Sequence, residues 1–336
     1  MATIRVAVIG AGSWGTTVAS IAAENVPTTL WARRADLAEE IDVKHVNRAY
    51  LPDFVLPESL ASSSDLAAVV DTADVVVMGV PSHGFRDVLV QVAEHTRAWV
   101  PVLSLTKGLE QGTRLRMTEV IGEVMPGHPA GVLTGPNLAK EIMAGQPALA
   151  VVAMADSRIA GELQRIFSTG RFRVYTNDDV VGCEVAGALK NVMALAAGMV
   201  DGMDLGDNTR SALITRGLAE LSRLGVAMGG QPLTFSGLAG MGDLIATCIS
   251  RQSRNRHVGE QLGRGRTLDE IIDEMNMVAE GVKTSRVVLQ VAATHGVDMP
   301  IASEVVAVLD GQRTVVDAMG SLLEREAGYE LEGIDP

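Results

Sequence analysis

Short apolar runs alternate with amphipathic stretches along the first half of the chain. The runs that predict strands cover residues 4–9, 28–31, 75–80, 100–105, 131–134 and 148–153. Their near-continuous hydrophobic character is typical of parallel strands that are buried on both faces of a sheet. Because helical patterns lie between the runs, the chain is expected to form an α/β domain with a doubly wound, mostly parallel sheet.

Beyond about residue 180 the apolar positions follow the period of a helix. Helices are predicted over residues 184–203, 208–228, 267–275, 281–295, 301–310 and 313–326. Gly296 and Gly311 are placed to end two of these helices, and Pro300 is placed to begin another. We therefore predict an α/β domain over residues 1–182 and an all-α domain over residues 183–336.

Composition narrows the class of protein. A chain of 336 residues, 47% hydrophobic and 21% charged, can bury the cores of two domains and is not expected to be disordered. Its 28 Lys and Arg residues against 41 Asp and Glu residues give a net charge of −13, which argues against a general nucleic-acid binder. The six histidines show no paired spacing on a helix face, so no metal site is predicted.

Cysteine usage and the apolar runs bear on the compartment. Cys183 and Cys248 are too few for a disulfide framework, and both are expected to pack as small apolar residues. The N-terminus lacks the sections of a signal peptide. The most apolar stretch, residues 192–200, falls short of the roughly 18 residues that a spanning helix needs. We predict a cytoplasmic protein without a membrane segment.

A glycine-rich turn follows the first predicted strand. Gly10-Ala-Gly12-Ser-Trp-Gly15 opens the helical pattern that covers residues 16–24. Glycines allow a tight turn and a close backbone approach, and the N–H groups of the helix N-terminus attract a pyrophosphate. The motif alone is weak, since it could be a turn without a ligand. Its place in the first βαβ unit favours a dinucleotide and a Rossmann domain.

The end of the second strand bears on the choice of coenzyme. An NAD-selective site usually has an acidic residue here, which binds the ribose hydroxyls, whereas this chain has Arg33 and Arg34. Two arginines favour the 2′-phosphate of NADP. They could also be ordinary surface charges, and Asp36 lies near enough that NAD use stays possible. We predict NADP as the preferred cofactor and NAD as a possible one.

Further blocks join the turn in a fixed order. They are Pro81-Ser-His83, Thr106-Lys107-Gly108-Leu-Glu110, Gly135-Pro136-Asn137-Leu-Ala139-Lys140-Glu141, Leu189-Lys190-Asn191, Gly206-Asp-Asn-Thr-Arg210, Gly240-Met-Gly242-Asp243-Leu, Ser253-Arg254-Asn255-Arg256 and Val278-Ala-Glu280-Gly281. Together they resemble the NAD(P)-dependent glycerol-3-phosphate dehydrogenases of bacterial type, from residue 4 to about residue 320. The resemblance implies a Rossmann domain and a helical domain that interconvert dihydroxyacetone phosphate and sn-glycerol 3-phosphate. It also implies a homodimer that serves phospholipid synthesis.

The resemblance assigns roles residue by residue. It implies a cofactor site formed by Gly10, Gly12, Ser13, Trp14, Gly15, Arg33, Arg34, Lys107, Ala139, Arg254, Val278 and Glu280. It implies a substrate site formed by Lys107, Gly135, Asn137, Lys190, Asp243, Ser253, Arg254 and Asn255, with Lys190 as the proton donor and acceptor. Asn137 stands where many relatives carry Ser or Thr, which weakens the expected hydrogen bond from this position to substrate.

The residue types suit ketone reduction. A fixed ammonium can stabilise the negative charge that forms on a carbonyl oxygen and can then protonate it. Lys190 lies in an Ala-, Met- and Val-rich helix, where burial would lower the pKa of its ammonium. Alternatively, Lys190 could snorkel from a half-buried helix. Asp243 could hold this ammonium, bind a substrate hydroxyl, or cap a helix.

The sequence also suggests a residue that could bind the substrate phosphate, and it leaves several alternative functions to compare. Arg254, between two hydrogen-bonding side chains, suits a phosphomonoester, or it could belong to a solvated loop or a subunit contact. A β-hydroxyacid or 6-phosphogluconate type dehydrogenase shares the overall plan but not the blocks. A UDP-sugar dehydrogenase would need a catalytic cysteine. A non-catalytic NADP sensor would not need Lys107, Lys190 and Asp243 together.

Overall fold

A computed structural model describes residues 3–275 and 279–326 of the chain. The chain forms two compact units, Met1–Val180 and Val181–Pro336. They are called here the N-terminal unit and the C-terminal unit.

The N-terminal unit alternates strands and helices. Its strands are β1 (Val6–Ile9), β2 (Thr28–Trp31), β3 (Val46–Asn47), β4 (Leu51–Val55), β5 (Leu60–Ser63), β6 (Val75–Met78), β7 (Val102–Ser104), β8 (Ala130–Thr134), β9 (Ala148–Met154) and β10 (Phe172–Asn177). Its α-helices are α1 (Ser13–Ala23), α2 (Ala35–Lys44), α3 (Leu66–Val70), α4 (Phe85–Ala93), α5 (Met117–Val124), α6 (Ala139–Met143) and α7 (Ser157–Phe167).

The main sheet has the order β10-β9-β8-β7-β6-β1-β2-β5. Neighbouring strands are parallel except β8 and β9, which are antiparallel. From β1 the chain builds outward through β2 to one edge, and from β6 it builds outward to the other. The strand order therefore reverses between β1 and β6, where open α/β sheets bind ligands at the carboxyl ends of the strands. The predicted doubly wound, mostly parallel sheet is confirmed.

Alternate side chains of the central strands supply two separate cores. On β1, Val6 and Val8 pack in one cluster with residues of α1, α2 and α7, such as Phe167. Ala7 and Ile9 pack in the other cluster with residues of α3, α4 and α5. Burial on both faces explains why these strands lack the polar alternation of a half-exposed sheet.

Two strands of the main sheet, β5 and β10, were not predicted from the sequence, and both lie at its edges. β10 alternates buried Phe172 and Val174 with exposed Arg173 and Tyr175. That alternation is typical of a half-exposed strand and was available in the sequence. β5 has a single large apolar residue, Leu60, so its four residues carry almost no periodic pattern.

In the described part of the C-terminal unit, all regular secondary structure is helical. Its α-helices are α8 (Val180–Gly202), α9 (Asp207–Ala227), α10 (Pro232–Phe235), α11 (Asp243–Ile249), α12 (Arg254–Gly263), α13 (Leu268–Glu274), α14 (Glu280–Thr294), α15 (Pro300–Leu309) and α16 (Val315–Glu324). A π-helical turn, Leu238–Gly242, leads into α11. Gly296 and Gly311 follow α14 and α15 with φ of 64° and 68°. The predicted all-α character and these two helix ends are confirmed.

Within residues 3–275 and 279–326, two helical stretches are long and apolar enough to cross a membrane by length and composition alone. They are Val180–Gly202, with a mean hydropathy of 1.5, and Pro232–Ile249, with a mean hydropathy of 1.3. The expectation that no stretch reached this length was wrong, because the apolar helix around residues 192–200 begins at Val180. Yet 89% of the 18-residue apolar part of the first stretch is buried inside the structure, which is the environment of a core helix. In the second stretch, 44% of the corresponding 18 residues are buried.

A buried carboxylate joins α9 to α15. Glu220 is 2% exposed, and its two oxygens accept hydrogen bonds from the N–H groups of Ile301 and Ala302, at 2.7 and 3.3 Å. These donors belong to the first turn of α15, where N–H groups have no partner within the helix. Burial raises the pKa of Glu220 from its ordinary 4.5 to about 7, although the two N–H donors oppose the shift.

The raised pKa predicts a pH-dependent stability. Above the ordinary pKa the unfolded chain ionises Glu220 while the folded chain does not, so stability falls as pH rises from about 4.5 to about 7. This change amounts to about 3 kcal/mol. The free energy of unfolding of the wild type, measured relative to Glu220→Gln in urea, should therefore decrease between about pH 5 and about pH 8. Glu324→Gln, at an exposed site, is the control. A pH-independent difference between wild type and Glu220→Gln would contradict the raised pKa.

Candidate active site

The glycine turn sits at the carboxyl end of β1, where the strand order reverses. Gly10 has φ of +117°, and a Cβ there would lie 2.7 Å from the carbonyl oxygen of Gly79. A Cβ on Gly15 would overlap the carbonyl oxygen of Gly10. At Gly12, by contrast, a Cβ would meet no atom within 4 Å. Two glycines thus close the turn, and the third leaves an open approach to the backbone.

The first turn of α1 faces this opening. Its N-cap residue, Gly12, provides no side-chain hydrogen bond, so the first N–H groups of α1 can bind an anion. The ring of Trp14 packs at a tilt against Phe172, and its Nε1 is buried with no partner among the described residues. Ser13 Oγ donates to the carbonyl oxygen of Tyr50 at 3.3 Å.

Asn47, in β3, supports the glycine turn and was not predicted as a site residue. This fully buried side chain donates to the carbonyl oxygen of Ala11 at 3.0 Å and to Thr16 Oγ1 at 2.9 Å. Its Oδ1 accepts a hydrogen bond from the N–H of Tyr50. Asn47 lies in a two-residue strand without a periodic pattern, so no sequence signal linked it to the turn.

The two arginines after β2, Arg33 and Arg34, differ in their contacts with other side chains. Both are exposed. Arg34 lies at the N-cap of α2, and its guanidinium lies 3.5 Å from the carboxylate of Asp36. Arg33 has no ion pair or hydrogen bond to any described side chain. Arg33 therefore presents the less encumbered guanidinium to a 2′-phosphate.

Lys107 and Gly135 are brought together at the ends of β7 and β8. Lys107 Nζ donates to the carbonyl oxygen of Gly135 at 2.9 Å, and Gly135 has φ of +128°, which favours glycine. Thr106 Oγ1 donates to the carbonyl oxygen of Val80 at 2.6 Å and so ties this segment to the end of β6. The predicted lysine is thus fixed at the ligand-binding edge of the sheet.

Asn137 is held in one orientation. Its Nδ2 donates to the carbonyl oxygen of Leu149 at 2.9 Å, while its Oδ1 is buried without a partner in the described structure. The side chain therefore offers an acceptor, whereas Ser or Thr would offer a hydroxyl. Of the remaining predicted cofactor residues, Ala139 opens α6 and Glu280 opens α14. Val278 lies outside the described residues.

A cavity elsewhere in the N-terminal unit contains none of the predicted site residues. It has a volume of about 590 Å³ and is lined by Ser20 and Ile21 in the second half of α1, by residues 55–57 and by residues 169–172. The glycine turn lies at the opposite end of α1. The first N–H groups of α1 therefore lie at the turn and not at this cavity.

In the C-terminal unit, Lys190 lies in the middle of α8 with its side chain 7% exposed. Its Nζ donates to Asp243 Oδ1 at 2.5 Å and to Thr247 Oγ1 at 2.7 Å. Thr247 Oγ1 in turn donates to the main-chain oxygen of Asp243. The snorkelling alternative is therefore wrong, because the ammonium is buried and ion-paired.

Asp243 is the first residue of α11 and not its cap. The N-cap position belongs to Gly242, which forms no side-chain hydrogen bond, so the capping alternative is wrong. Thr247 was not predicted as a site residue. It lies one helical turn after Asp243, and this spacing on a short helix was the signal that could have found it.

Arg254 opens α12 and is exposed, with no ion pair or hydrogen bond to the described part of the chain. Ser253 is the N-cap of this helix, and its Oγ accepts a hydrogen bond from the N–H of Arg256 at 3.2 Å. Asn255 is 8% exposed and hydrogen-bonds to Asn191 and Gly281. A free guanidinium at a helix N-terminus suits an anion. Ser253 and Asn255, by contrast, already form hydrogen bonds within the protein.

Both cysteines are buried, and neither forms a disulfide among the described residues. Burial raises the pKa of Cys248 to about 12, so its thiol is not a nucleophile near neutral pH. Among the described residues no cluster of His, Cys, Asp and Glu could hold a metal ion.

One unit thus has the glycine turn of a dinucleotide-binding domain, and the other has a buried lysine held by a carboxylate. These features define the class of nicotinamide-dependent dehydrogenases with a helical second unit.

Comparison with known proteins identifies the family. The model of the NAD-dependent glycerol-3-phosphate dehydrogenase N-terminus matches residues 5–160, and that of the C-terminus matches residues 179–320. A glycerol-3-phosphate dehydrogenase (NAD(P)+) 2 of Sphingopyxis alaskensis is 58% identical over 97% of this chain and 98% of the relative. One from Mycobacterium avium is 55% identical over 98% of this chain and 97% of the relative.

A solved structure agrees with these relatives. The crystal structure of glycerol-3-phosphate dehydrogenase from Coxiella burnetii superposes with a TM-score of 0.91 at 37% identity, covering 96% of this chain and 99% of that one. The chain belongs to the NAD-dependent glycerol-3-phosphate dehydrogenase family, and it is an oxidoreductase. The family predicted from the sequence is confirmed, and the other dehydrogenase classes and the non-catalytic sensor are set aside.

The different settings of the two arginines predict different coenzyme effects. Arg33→Ala should weaken NADPH binding by about 10- to 100-fold, the value of a lost charged hydrogen bond, and should change NADH binding little. Arg34→Ala should have the smaller effect on NADPH, because Asp36 already engages its side chain. Fluorescence titration of both variants with both coenzymes measures this. Equal losses for NADPH and NADH in Arg33→Ala would show that Arg33 does not contact a 2′-phosphate.

Proposed function

We propose that this chain catalyses reversible hydride transfer between NAD(P)H and dihydroxyacetone phosphate, which yields sn-glycerol 3-phosphate. The observation that carries the proposal is the buried ammonium of Lys190, fixed by Asp243 and Thr247. The glycerol-3-phosphate dehydrogenases to which the chain is similar are named as NAD(P)+ enzymes, which supports the choice of cofactor.

The N-terminal unit fits the dinucleotide. Gly12 leaves room for a pyrophosphate beside the first N–H groups of α1, and Arg33 is free to bind a 2′-phosphate. We therefore propose NADP as the preferred cofactor, with NAD also accepted. When bound, the reduced nicotinamide supplies the hydride for the carbonyl carbon.

Lys190 accounts for the rest of the reduction. As the carbonyl carbon accepts the hydride, negative charge develops on its oxygen, and a nearby ammonium stabilises that charge. The same ammonium then donates a proton to give the alcohol. Asp243 and Thr247 keep Nζ in one place, so that little reorganisation accompanies the reaction.

The phosphate of the substrate needs a local positive charge in a chain of net charge −13. We propose that Arg254 binds it through its exposed guanidinium, together with the N-terminal N–H groups of α12, with Ser253 and Asn255 as neighbouring contacts. Lys107, Gly135 and Asn137 are proposed as further substrate contacts. Binding energy from the phosphate then orients the carbonyl for reaction.

We also propose the roles of the two domains, the oligomeric state and the compartment of the enzyme. Residues 1–182 would form the cofactor domain and residues 183–336 the substrate domain. We propose a cytoplasmic homodimer that supplies sn-glycerol 3-phosphate for phospholipid synthesis. These statements rest on the family, on the acidic chain and on its two buried cysteines, which form no disulfide among the described residues.

The decisive experiment follows NADPH absorbance with the purified protein. Dihydroxyacetone phosphate should be reduced, and dihydroxyacetone should be reduced far more slowly, since it lacks the group that Arg254 binds. Gluconate 6-phosphate and NADP+ serve as the negative control pair. Absence of turnover with dihydroxyacetone phosphate and either coenzyme would overturn the proposed function.

Lys190→Ala should lower kcat by about 100- to 10,000-fold, because general acid catalysis and oxyanion stabilisation are lost, while NADPH binding stays close to wild type. Lys44→Ala, an exposed lysine, is the matched control. Since Lys190→Ala leaves Asp243 buried without its cation, the double variant Lys190→Met with Asp243→Asn should be measured beside it. If a folded variant turned over within about tenfold of wild type, Lys190 would not be the acid.

Arg254→Ala should reduce the preference for dihydroxyacetone phosphate over dihydroxyacetone, measured as the ratio of their kcat/KM values, by about 10- to 100-fold. Arg254→Lys should lose part of this preference as well, because an ammonium cannot form the bidentate contact. Arg251→Ala removes an exposed charge three residues away and is the control. An unchanged preference in Arg254→Ala would place the phosphate elsewhere.

A further inference from the structure

Three buried groups link the helices that carry the proposed functional residues of the C-terminal unit. Each of them directly follows one such residue: Asn191 follows Lys190, Asn255 follows Arg254, and Gly281 follows Glu280. Asn255 Nδ2 donates to Asn191 Oδ1 at 2.9 Å, and Asn255 Oδ1 accepts a hydrogen bond from the N–H of Gly281, also at 2.9 Å. The side chain of Asn255 therefore bridges α8 and α14.

Glycines bring α8 and α12 into backbone contact beyond this bridge. A Cβ on Gly198 would overlap the carbonyl oxygen of Arg256, and one on Gly202 would overlap that of Glu260. On the other helix, a Cβ on Gly259 would overlap the carbonyl oxygen of Leu195, and one on Gly263 would overlap that of Met199. Larger residues at these four positions would force the helices apart.

The contacts between α8 and α12 recur at constant separations along the chain. Asn191 meets Asn255 at a separation of 64 positions, and Leu195 with Gly259 and Met199 with Gly263 have the same separation. A constant separation means that the two helices run parallel. Gly198 with Arg256 and Gly202 with Glu260 form a second set of contacts with a separation of 58 positions, and both sets advance together along the two helices. The hydrogen bond between Asn191 and Asn255 joins the residues that directly follow Lys190 and Arg254.

Glycine contacts alone do not lock the register of α8 against α12. They allow close approach, but they are non-directional, and a sliding motion could preserve many of them. The hydrogen bond between Asn191 and Asn255 is directional, and it lies next to the two proposed functional residues. Gly281 extends the same lock to the start of α14, since a Cβ there would lie 2.7 Å from Asn255 Oδ1.

Building on the proposed function, we propose that Asn191 is a positioning residue for the reaction. It locks the register of α8 against α12 and thereby fixes Arg254 relative to Lys190. Its loss leaves the ammonium of Lys190 in place, because Asp243 and Thr247 hold it. What is lost is the alignment through which a bound phosphate places the carbonyl beside that ammonium, and misplacement by about 1 Å can cost about 100-fold in rate.

The test measures the phosphate advantage, defined as kcat/KM for dihydroxyacetone phosphate divided by kcat/KM for dihydroxyacetone. Asn191→Leu and Asn191→Ala remove the hydrogen-bond acceptor and should lower this ratio by about 10- to 100-fold, mainly through the phosphorylated ketone. Asn191→Asp keeps an acceptor for Asn255 Nδ2 and should lose clearly less of the ratio than Asn191→Leu and Asn191→Ala. Its added charge acts on Lys190 with both ketones and repels only the phosphorylated one, so a ratio that is better retained than in those two variants shows that the acceptor is the feature that matters.

Ser285→Ala is the matched control. Ser285 Oγ is buried and donates to the carbonyl oxygen of Gly281 at 2.6 Å, so this variant loses a neighbouring buried hydrogen bond outside the lock. Its ratio should equal that of wild type, even where its thermal stability falls as much as that of Asn191→Ala.

Several results would overturn the inference. They are an unchanged ratio in both Asn191→Leu and Asn191→Ala, a loss in Asn191→Asp as large as theirs, and an equal loss in Ser285→Ala. Wild-type protein that does not reduce dihydroxyacetone phosphate would overturn the proposed function and, with it, this inference. Wild-type activity with an unchanged ratio in the variants would overturn the inference alone.

Discussion

The buried ion pair of Lys190 and Asp243 is the constraint on which the C-terminal unit depends. Removing an ammonium and a carboxylate from water costs several kcal/mol for each ion, and only close, well-directed contacts offset that cost. Asp243 and Thr247 provide these contacts from α11, at 2.5 and 2.7 Å. The helix that carries Lys190 can therefore be buried along most of its length only while α11 stays in place against it.

Close packing of α8 against α12 also fixes the positions of residues in this unit. The glycines of α8 and α12 remove side chains from the contact, so that the two backbones meet directly. Such contacts are rigid because neither side has a rotamer to change, and close-packed interiors tolerate little added volume. A rigid pair of helices suits chemistry in which a charge held by one helix must align with a phosphate held by the other.

In the N-terminal unit, by contrast, the glycine turn leaves open space at the carboxyl end of β1. Gly10 and Gly15 pack against neighbouring backbone, whereas Gly12 faces no atom. Free N–H groups of α1 lie beside that opening, and buried Asn47 holds the turn to α1. Rigid support around an open backbone surface is what lets a helix N-terminus bind a pyrophosphate.

The sequence by itself determined the central strands, most of the helices, the glycine turn and the family, because these depend on local periodicity and on short blocks. It also named Lys190, Asp243 and Arg254 as candidates. Only the tertiary structure showed which of them meet. Thr247 lies 57 residues from Lys190, and Asn255 lies 64 residues from Asn191. No local pattern encodes such pairs, since the register of one helix against another is set by packing and directional hydrogen bonds between distant parts of the chain.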